Sequence, residues 1–214
     1  MISEAVYLHY LNALLDGDKK LCYQIVSRLI DEKVSPRDIF MKLFQRSMYR
    51  VGQMWENDRC SISDEHIATK ITEGLIDFVT ANYSAEETSG KSVVITCIDK
   101  EFHEIGARMV AGYFETHGFK VYFIGSNTPQ SEVLKIIREK QPDIVGISNN
   151  FYLYFTRLVN LLNSINEEFP KQKVLIGGQA LAEGIADSLK NYPNAKYLPS
   201  LDALDEYISR EKQK

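Results

Sequence analysis

Val93-Val94-Ile95-Thr96-Cys97-Ile98-Asp99-Lys100-Glu101-Phe102-His103-Glu104-Ile105-Gly106 decides how this chain is read. Its first five residues are apolar and rich in β-branched side chains, as in a strand buried on both faces. The residues after it, Ala107-Arg108-Met109-Val110-Ala111-Gly112-Tyr113-Phe114, have the spacing of an amphipathic helix. The polar segment between them joins a strand to a helix. In open α/β sheets, ligands bind just beyond the carboxyl ends of strands. A histidine in that position is either a surface side chain of a polar loop or a functional group, and the rest of the chain has to decide.

Toward the C-terminus the same alternation repeats. Strands are predicted at Val93–Cys97, Lys120–Ile124, Ile144–Ser148, Val174–Ile176 and, from a weaker signal, Lys196–Pro199. Helices are predicted at Glu104–His117, Gln130–Lys140, Tyr152–Glu168, Ala180–Lys190 and Leu201–Arg210. Strands alternating with helices imply a parallel sheet covered on both faces. Five of them suit a flavodoxin-like (Rossmann-type) sheet in the order 2-1-3-4-5. In that order strands one, three and four are neighbours. The loop with His103, the strand end at Ser148-Asn149-Asn150 and the pair Gly177-Gly178 then share one rim.

Toward the N-terminus the pattern is helical throughout. Ser3 precedes Ala5, Val6, Leu8, Leu11, Leu14 and Leu15, and Asp16-Gly17-Asp18 reads as a turn. A second helix carries Cys22, Ile25, Val26, Leu29 and Ile30. Ser35-Pro36 is a start signal for a third, running to Trp55. A polar loop follows, and Ser63 is the expected cap of a fourth helix through Ile67, Ile71, Leu75, Phe78 and Val79. Four helices with short connections predict a four-helix bundle. Small and charged residues then mark a linker. The expected boundaries are 1–84 for the bundle, 85–91 for the linker and 92–214 for the α/β domain.

Composition narrows the classes. The chain has 214 residues, 44% of them hydrophobic, and a net charge of -4, which argues against a basic nucleic-acid surface. No apolar run approaches the roughly 18 residues that span a bilayer, and the N-terminus lacks the basic and apolar regions of a signal peptide. Three scattered cysteines, Cys22, Cys60 and Cys97, form neither a disulfide framework nor a zinc motif, so the expected location is the cytoplasm.

Neutral imidazole is a common ligand for transition metals, and a ligating histidine usually gives its second ring proton to a carboxylate. Asp99 and Glu101 are the candidates beside His103. Gly106 removes a side chain at the start of the next helix, where a flat group could approach the backbone. One histidine and one carboxylate are too few for a protein-made zinc site. If His103 binds a metal, a cofactor must bring the remaining ligands. Ser148 can serve a ligand or a neighbouring backbone group. Gly177-Gly178 can be a plain turn or a place of close backbone approach.

Glu101-Phe102-His103-Glu104-Ile105-Gly106, followed by Ser148 and then Gly177-Gly178, resembles the cobalamin-binding domain of corrinoid methyltransferases, mutases and cobalamin photoreceptors. The resemblance implies that cobalamin binds with its own base displaced, that His103 becomes the lower axial ligand of cobalt, and that the displaced tail enters beside Ser148, Gly177 and Gly178. That family often has Leu or Thr where Asn150 stands. Glu101, in place of the more frequent Asp, resembles the photoreceptor branch.

The bundle extends the resemblance. Trp55, nine residues, then Glu65-His66 is similar to the cap of CarH-like photoreceptors, where these residues surround the upper ligand. Trp55 offers a flat apolar wall, and Glu65 and His66 offer polar contacts. Glu56 follows Trp55 where such photoreceptors often have a second cobalt-ligating histidine. The N-terminal helices are not basic, so direct DNA contact is not expected. The implied function is a cobalamin sensor, in first place a photoreceptor that uses adenosylcobalamin and signals to a partner protein or a second copy of itself. The alternative is a corrinoid carrier that moves a methyl group, as methylcobalamin, within a methyltransferase system.

Overall fold

The computed structural model describes residues 2–83, 88–181 and 189–212. They fall into two compact units, Met1–Ser84 and Ala85–Lys214.

The first unit is helical. Helix α1, Glu4–Leu15, is capped by Ser3, whose hydroxyl accepts from the Val6 N–H. Gly17 turns the chain with φ +67°, and Asp18 caps α2, Lys19–Asp31. Ser35 caps the next rod, with Pro36 in its first turn. This rod has three parts: α3 (Pro36–Asp38), a π-helical stretch (Ile39–Gln45) and α4 (Arg46–Glu56). The wider π turn brings Ile39, Phe40, Leu43 and Phe44 all into the core. Phe44 lies with its ring centroid 5.9 Å from Tyr10 and 6.0 Å from Phe40.

The fourth rod is α5, Ile62–Asn82. Its cap is Ser61, not Ser63. Ser61 accepts from the Asp64 N–H, and the Asp64 carboxylate returns the bond to the Ser61 N–H at 2.8 Å. This reciprocal pair satisfies two end groups at once, which Ser63 cannot do with His66 three residues on. Ala68, Ile71, Thr72, Leu75, Ile76 and Val79 form its buried stripe at helical spacing. At the far end the Tyr83 hydroxyl donates to the Val34 carbonyl and ties the helix to the loop before α3.

The second unit is a five-stranded parallel sheet in the order β2-β1-β3-β4-β5. The strands are β1 (Ser92–Cys97), β2 (Lys120–Gly125), β3 (Ile144–Ser148), β4 (Lys173–Gly177) and β5 (Ala195–Tyr197). The two central strands β1 and β3 are almost wholly buried, which is why they read as unbroken apolar runs. Helices α7 (Gln130–Lys140) and α8 (Phe155–Glu168) bury one face through Val133, Ile137, Leu158 and Leu162 against Val145, Ile147, Val174 and Ile176. Helix α6 (Ile105–Thr116) packs on β1, β2 and β3. Its Tyr113 hydroxyl donates to Asp205 of α9 (Leu201–Lys212) at 2.6 Å.

The predicted strands and their order are therefore observed. One helix start shifts from Tyr152 to Phe155. Tyr152–Tyr154 forms a separate 3-10 turn before α8. Of the helix expected over Ala180–Lys190, a 3-10 turn covers Gln179–Leu181, and residues 182–188 lie outside the described residues. No helix among the described residues is long and apolar enough to cross a membrane.

Candidate functional site

The loop after β1 is held from both sides. Ile98 donates its N–H to the Ser148 carbonyl, and Glu101 donates back to Ile98 at 3.1 Å. Lys100 has φ +69°, a left-handed conformation that its side chain resists. Its N–H is taken by Asn127 Oδ1 at 3.0 Å, and the Asn127 N–H donates to the Glu101 carbonyl at 2.7 Å. Asn127, in the loop after β2, thus sets the backbone of the His103 loop. No spacing in the sequence pointed to it.

These constraints place the Glu101 carboxylate inside the protein, fully buried. Oε1 accepts from the His103 N–H at 2.9 Å and pairs with His103 Nδ1 at 2.8 Å. Oε2 accepts from the Asn150 N–H at 2.8 Å. Burial raises the carboxyl's pKa, but the bonds from the His103 side chain and backbone and from Asn150 more than offset it. The net result lies below the ordinary carboxylate value. Glu101 therefore stays ionised and holds the ring. Asp99 pairs with Arg157 of α8 instead, which settles which of the two acids serves His103.

The His103 side chain itself is 65% exposed. In the tautomer that gives Nδ1–H to Glu101, the lone pair sits on Nε2. The edge of Phe151 packs against the imidazole at 4.9 Å between centroids. Phe102 is also exposed, beside the histidine. Glu104 turns back toward β2, where its carboxylate accepts from the Ser126 N–H at 2.7 Å. Ile105 and Gly106 open α6.

The other rim residues come to the same end of the sheet. Ser148 is paired in register with Cys97 on one side and Gly177 on the other. Gly178 has φ +100°, and a Cβ there would lie 2.1 Å from the Asn149 carbonyl oxygen, so only glycine fits. Gly106 and Gly177 are different: a Cβ on either would meet nothing within 4 Å. The Asn149 side chain is buried with both polar atoms unpartnered. Phe151 and Asn149 were not singled out by sequence reasoning. The apolar run Phe151-Tyr152-Leu153 directly after a strand end was the available signal, since its three side chains stand exposed.

In the helical unit, Trp55 is 46% exposed at the end of α4, so it is not a core residue. Glu65 accepts from the Thr69 hydroxyl at 2.8 Å and pairs with His66 Nδ1 at 2.7 Å near the start of α5. Cys60 folds back toward the Val51 carbonyl. Burial, together with Asp64 and Glu65, raises its pKa, which leaves it a neutral thiol.

Among the described residues no group of three or more His, Cys, Asp and Glu side chains could hold a metal ion. Cys97, the nearest soft ligand, is buried and its thiol is pushed up to about 12, by burial first and then by Glu101 and Glu104. The rim therefore offers one oriented imidazole and two glycines with open space above their Cα atoms. That fits a metal that arrives inside a planar macrocycle and needs one axial nitrogen.

Two family models, each described as a B12 binding domain, match residues 91–199 and 8–80. Trimethylamine corrinoid protein 1 of Methanosarcina mazei is 24% identical over 187 residues, which cover 83% of this chain and 85% of that protein. The HTH-type transcriptional repressor CarH of Myxococcus xanthus is 23% identical over 159 residues, 72% of this chain and 52% of that protein. Among solved structures, the monomethylamine corrinoid protein of Methanosarcina barkeri superposes with a TM-score of 0.78 at 16% identity. It covers 98% of this chain and 100% of its own, a likeness of fold. A buried acid holding an exposed histidine, on the rim of a 2-1-3-4-5 parallel sheet, thus coincides with one family match and the helical unit with the other, and the chain belongs to the B12-binding domain family.

Proposed function

We propose that this protein is a corrinoid carrier subunit, which holds a cobalamin and presents a methyl group to methyltransferase partners. The observation that carries this reading is reciprocal coverage. The chain and the trimethylamine corrinoid protein match along more than four-fifths of each other. The CarH repressor is matched over about half of its length. The sensor reading therefore takes second place to the alternative that accompanied it.

When bound, the corrinoid supplies a cobalt that takes up and gives away methyl groups. The protein's own residues do the rest. His103 would hold the cobalt through its imidazole nitrogen, and Glu101 fixes the tautomer of that ring and raises its basicity. Phe102, Glu104, Ile105 and Gly106, in the loop and helix start around His103, would help to hold the corrinoid. Ser148, Gly177 and Gly178 would hold its tail. Trp55, Glu65 and His66 belong to the cap.

One feature favours the photoreceptor as a second reading. Trp55 is exposed at the end of α4, and Glu65-His66 follow at the spacing of a nucleoside-contacting cap. A methyl group needs no such pocket. The two readings separate in one experiment. The protein is loaded in the dark with methylcobalamin or adenosylcobalamin, retention of each is measured, and the samples are then illuminated. A carrier retains the methyl form at least as well and keeps its oligomeric size in light. Preferential retention of the adenosyl form, with a light-driven change in size, overturns the carrier reading in favour of the sensor.

A further inference from the structure

The strand end Ser148-Asn149-Asn150 is bonded to both other rim loops. Toward the His103 loop, Ser148 accepts from the Ile98 N–H at 3.2 Å, and Asn150 donates its backbone N–H to Glu101. Toward the glycine loop, Asn149 donates to the Gly177 carbonyl at 3.0 Å and accepts from the Ala180 N–H at 3.3 Å. The Asn150 side chain joins the two sets. Its Nδ2 donates to the His103 carbonyl at 3.0 Å, and its Oδ1 accepts from the Gln179 N–H at 3.4 Å.

That double role requires an amide. An aspartate has no N–H to give the His103 carbonyl and would face it with negative charge. A leucine can make neither bond. The amide reaches the carbonyl of the very residue whose ring is held by Glu101. It also reaches Gln179, directly after Gly178, where the backbone runs so close to the Asn149 carbonyl that a Cβ would lie 2.1 Å from its oxygen. A shift of either loop is therefore transmitted to the other.

We infer that Asn150 is a positioning residue whose side-chain amide couples the glycine loop to the His103 loop, so that a corrinoid's nucleotide tail lodged beside Gly177-Gly178 steadies His103 as the axial ligand. This rests on His103 being that ligand. Asn150 acts through the two loops and need not touch cobalt.

The test uses the whole chain with its histidines labelled with nitrogen-15, loaded with cobalt(II) cobalamin or with cobalt(II) cobinamide, which lacks the tail. Electron paramagnetic resonance then reports the axial nitrogen: a doublet splitting from labelled His103, a triplet from the cofactor's own base, neither from water. The wild type should show more doublet with cobalamin than with cobinamide. In Asn150→Ala and Asn150→Asp the ligated-to-unligated ratio with cobalamin should fall about tenfold, the factor set by one ordinary hydrogen bond, and approach the cobinamide value. Asn150→Gln, which keeps an amide, should recover part of the difference. Thermal melting of each apo variant reports folding, so a loss of structure is seen separately. Wild-type levels of doublet in folded Asn150→Ala and Asn150→Asp, or equal wild-type doublets with both cofactors, overturn the inference. A wild type without any doublet overturns the assignment of His103 itself.

Discussion

Glu101→Gln tests the centre of the site without changing its shape. The carboxylate accepts three hydrogen bonds, two at Oε1 from His103 and one at Oε2 from Asn150. A glutamine can turn its oxygen toward His103 or toward Asn150, but not both. One backbone N–H then faces an NH₂ group inside the protein, and the bonds that survive lose their ionic character. A hydrogen bond to a charged group contributes about 1.5–3 kcal/mol, and an orphaned buried donor costs about 1–3 kcal/mol. The expected loss is therefore about 2–4 kcal/mol at neutral pH. With a urea slope of about 2 kcal/mol per molar, the unfolding midpoint of the apo protein drops by about 1–2 M.

The pH dependence supplies a second arm. The folded carboxyl has its pKa below the ordinary 4.5. Its contribution is thus complete above the unfolded value and disappears as pH falls through the folded one. Urea titrations at neutral pH and at steps below 4.5 should show the wild type losing its advantage over Glu101→Gln as acid is added. Equal midpoints at neutral pH would refute the account of a carboxylate held by three donors. A gap that persists unchanged into strong acid would show that the ionised form is not what contributes.

Gly178→Ala should destabilise the apo protein by about 2–5 kcal/mol, since it combines a left-handed backbone with a clash against the Asn149 carbonyl; Gly177→Ala, where the Cβ meets open space, should stay within about 1 kcal/mol in urea titration while weakening cobalamin retention. Ser61→Ala should cost about 1 kcal/mol through the lost capping box, and Ser63→Ala should remain within about 0.5 kcal/mol, read from thermal melts.

Local pattern made most of the architecture legible. Val93-Val94-Ile95 and Ile144-Val145 are apolar throughout because β1 and β3 are buried on both faces, and Ala68, Ile71, Leu75 and Val79 recur at helical spacing because α5 buries one stripe. The βα alternation implies a parallel sheet, and the flavodoxin-like order 2-1-3-4-5, which it suits and the fold adopts, brings the strand ends before His103, at Ser148 and at Gly177-Gly178 side by side.

What sequence could not decide was which of several similar groups does a given task. Asp99 and Glu101 both stand close to His103 along the chain, four and two residues away. Only the fold brings Arg157 of α8 to one and the Asn150 N–H to the other. Ser61 and Ser63 both stand near the start of α5, and the reciprocal bond with Asp64 selects the first as its cap. Asn127, Phe151 and the two-sided amide of Asn150 act across loops that are distant in sequence and adjacent only through the sheet. Periodicity is a property of each segment and survives in the linear chain. The choice of hydrogen-bond partner is made when separate segments meet, and so it belongs to the tertiary structure alone.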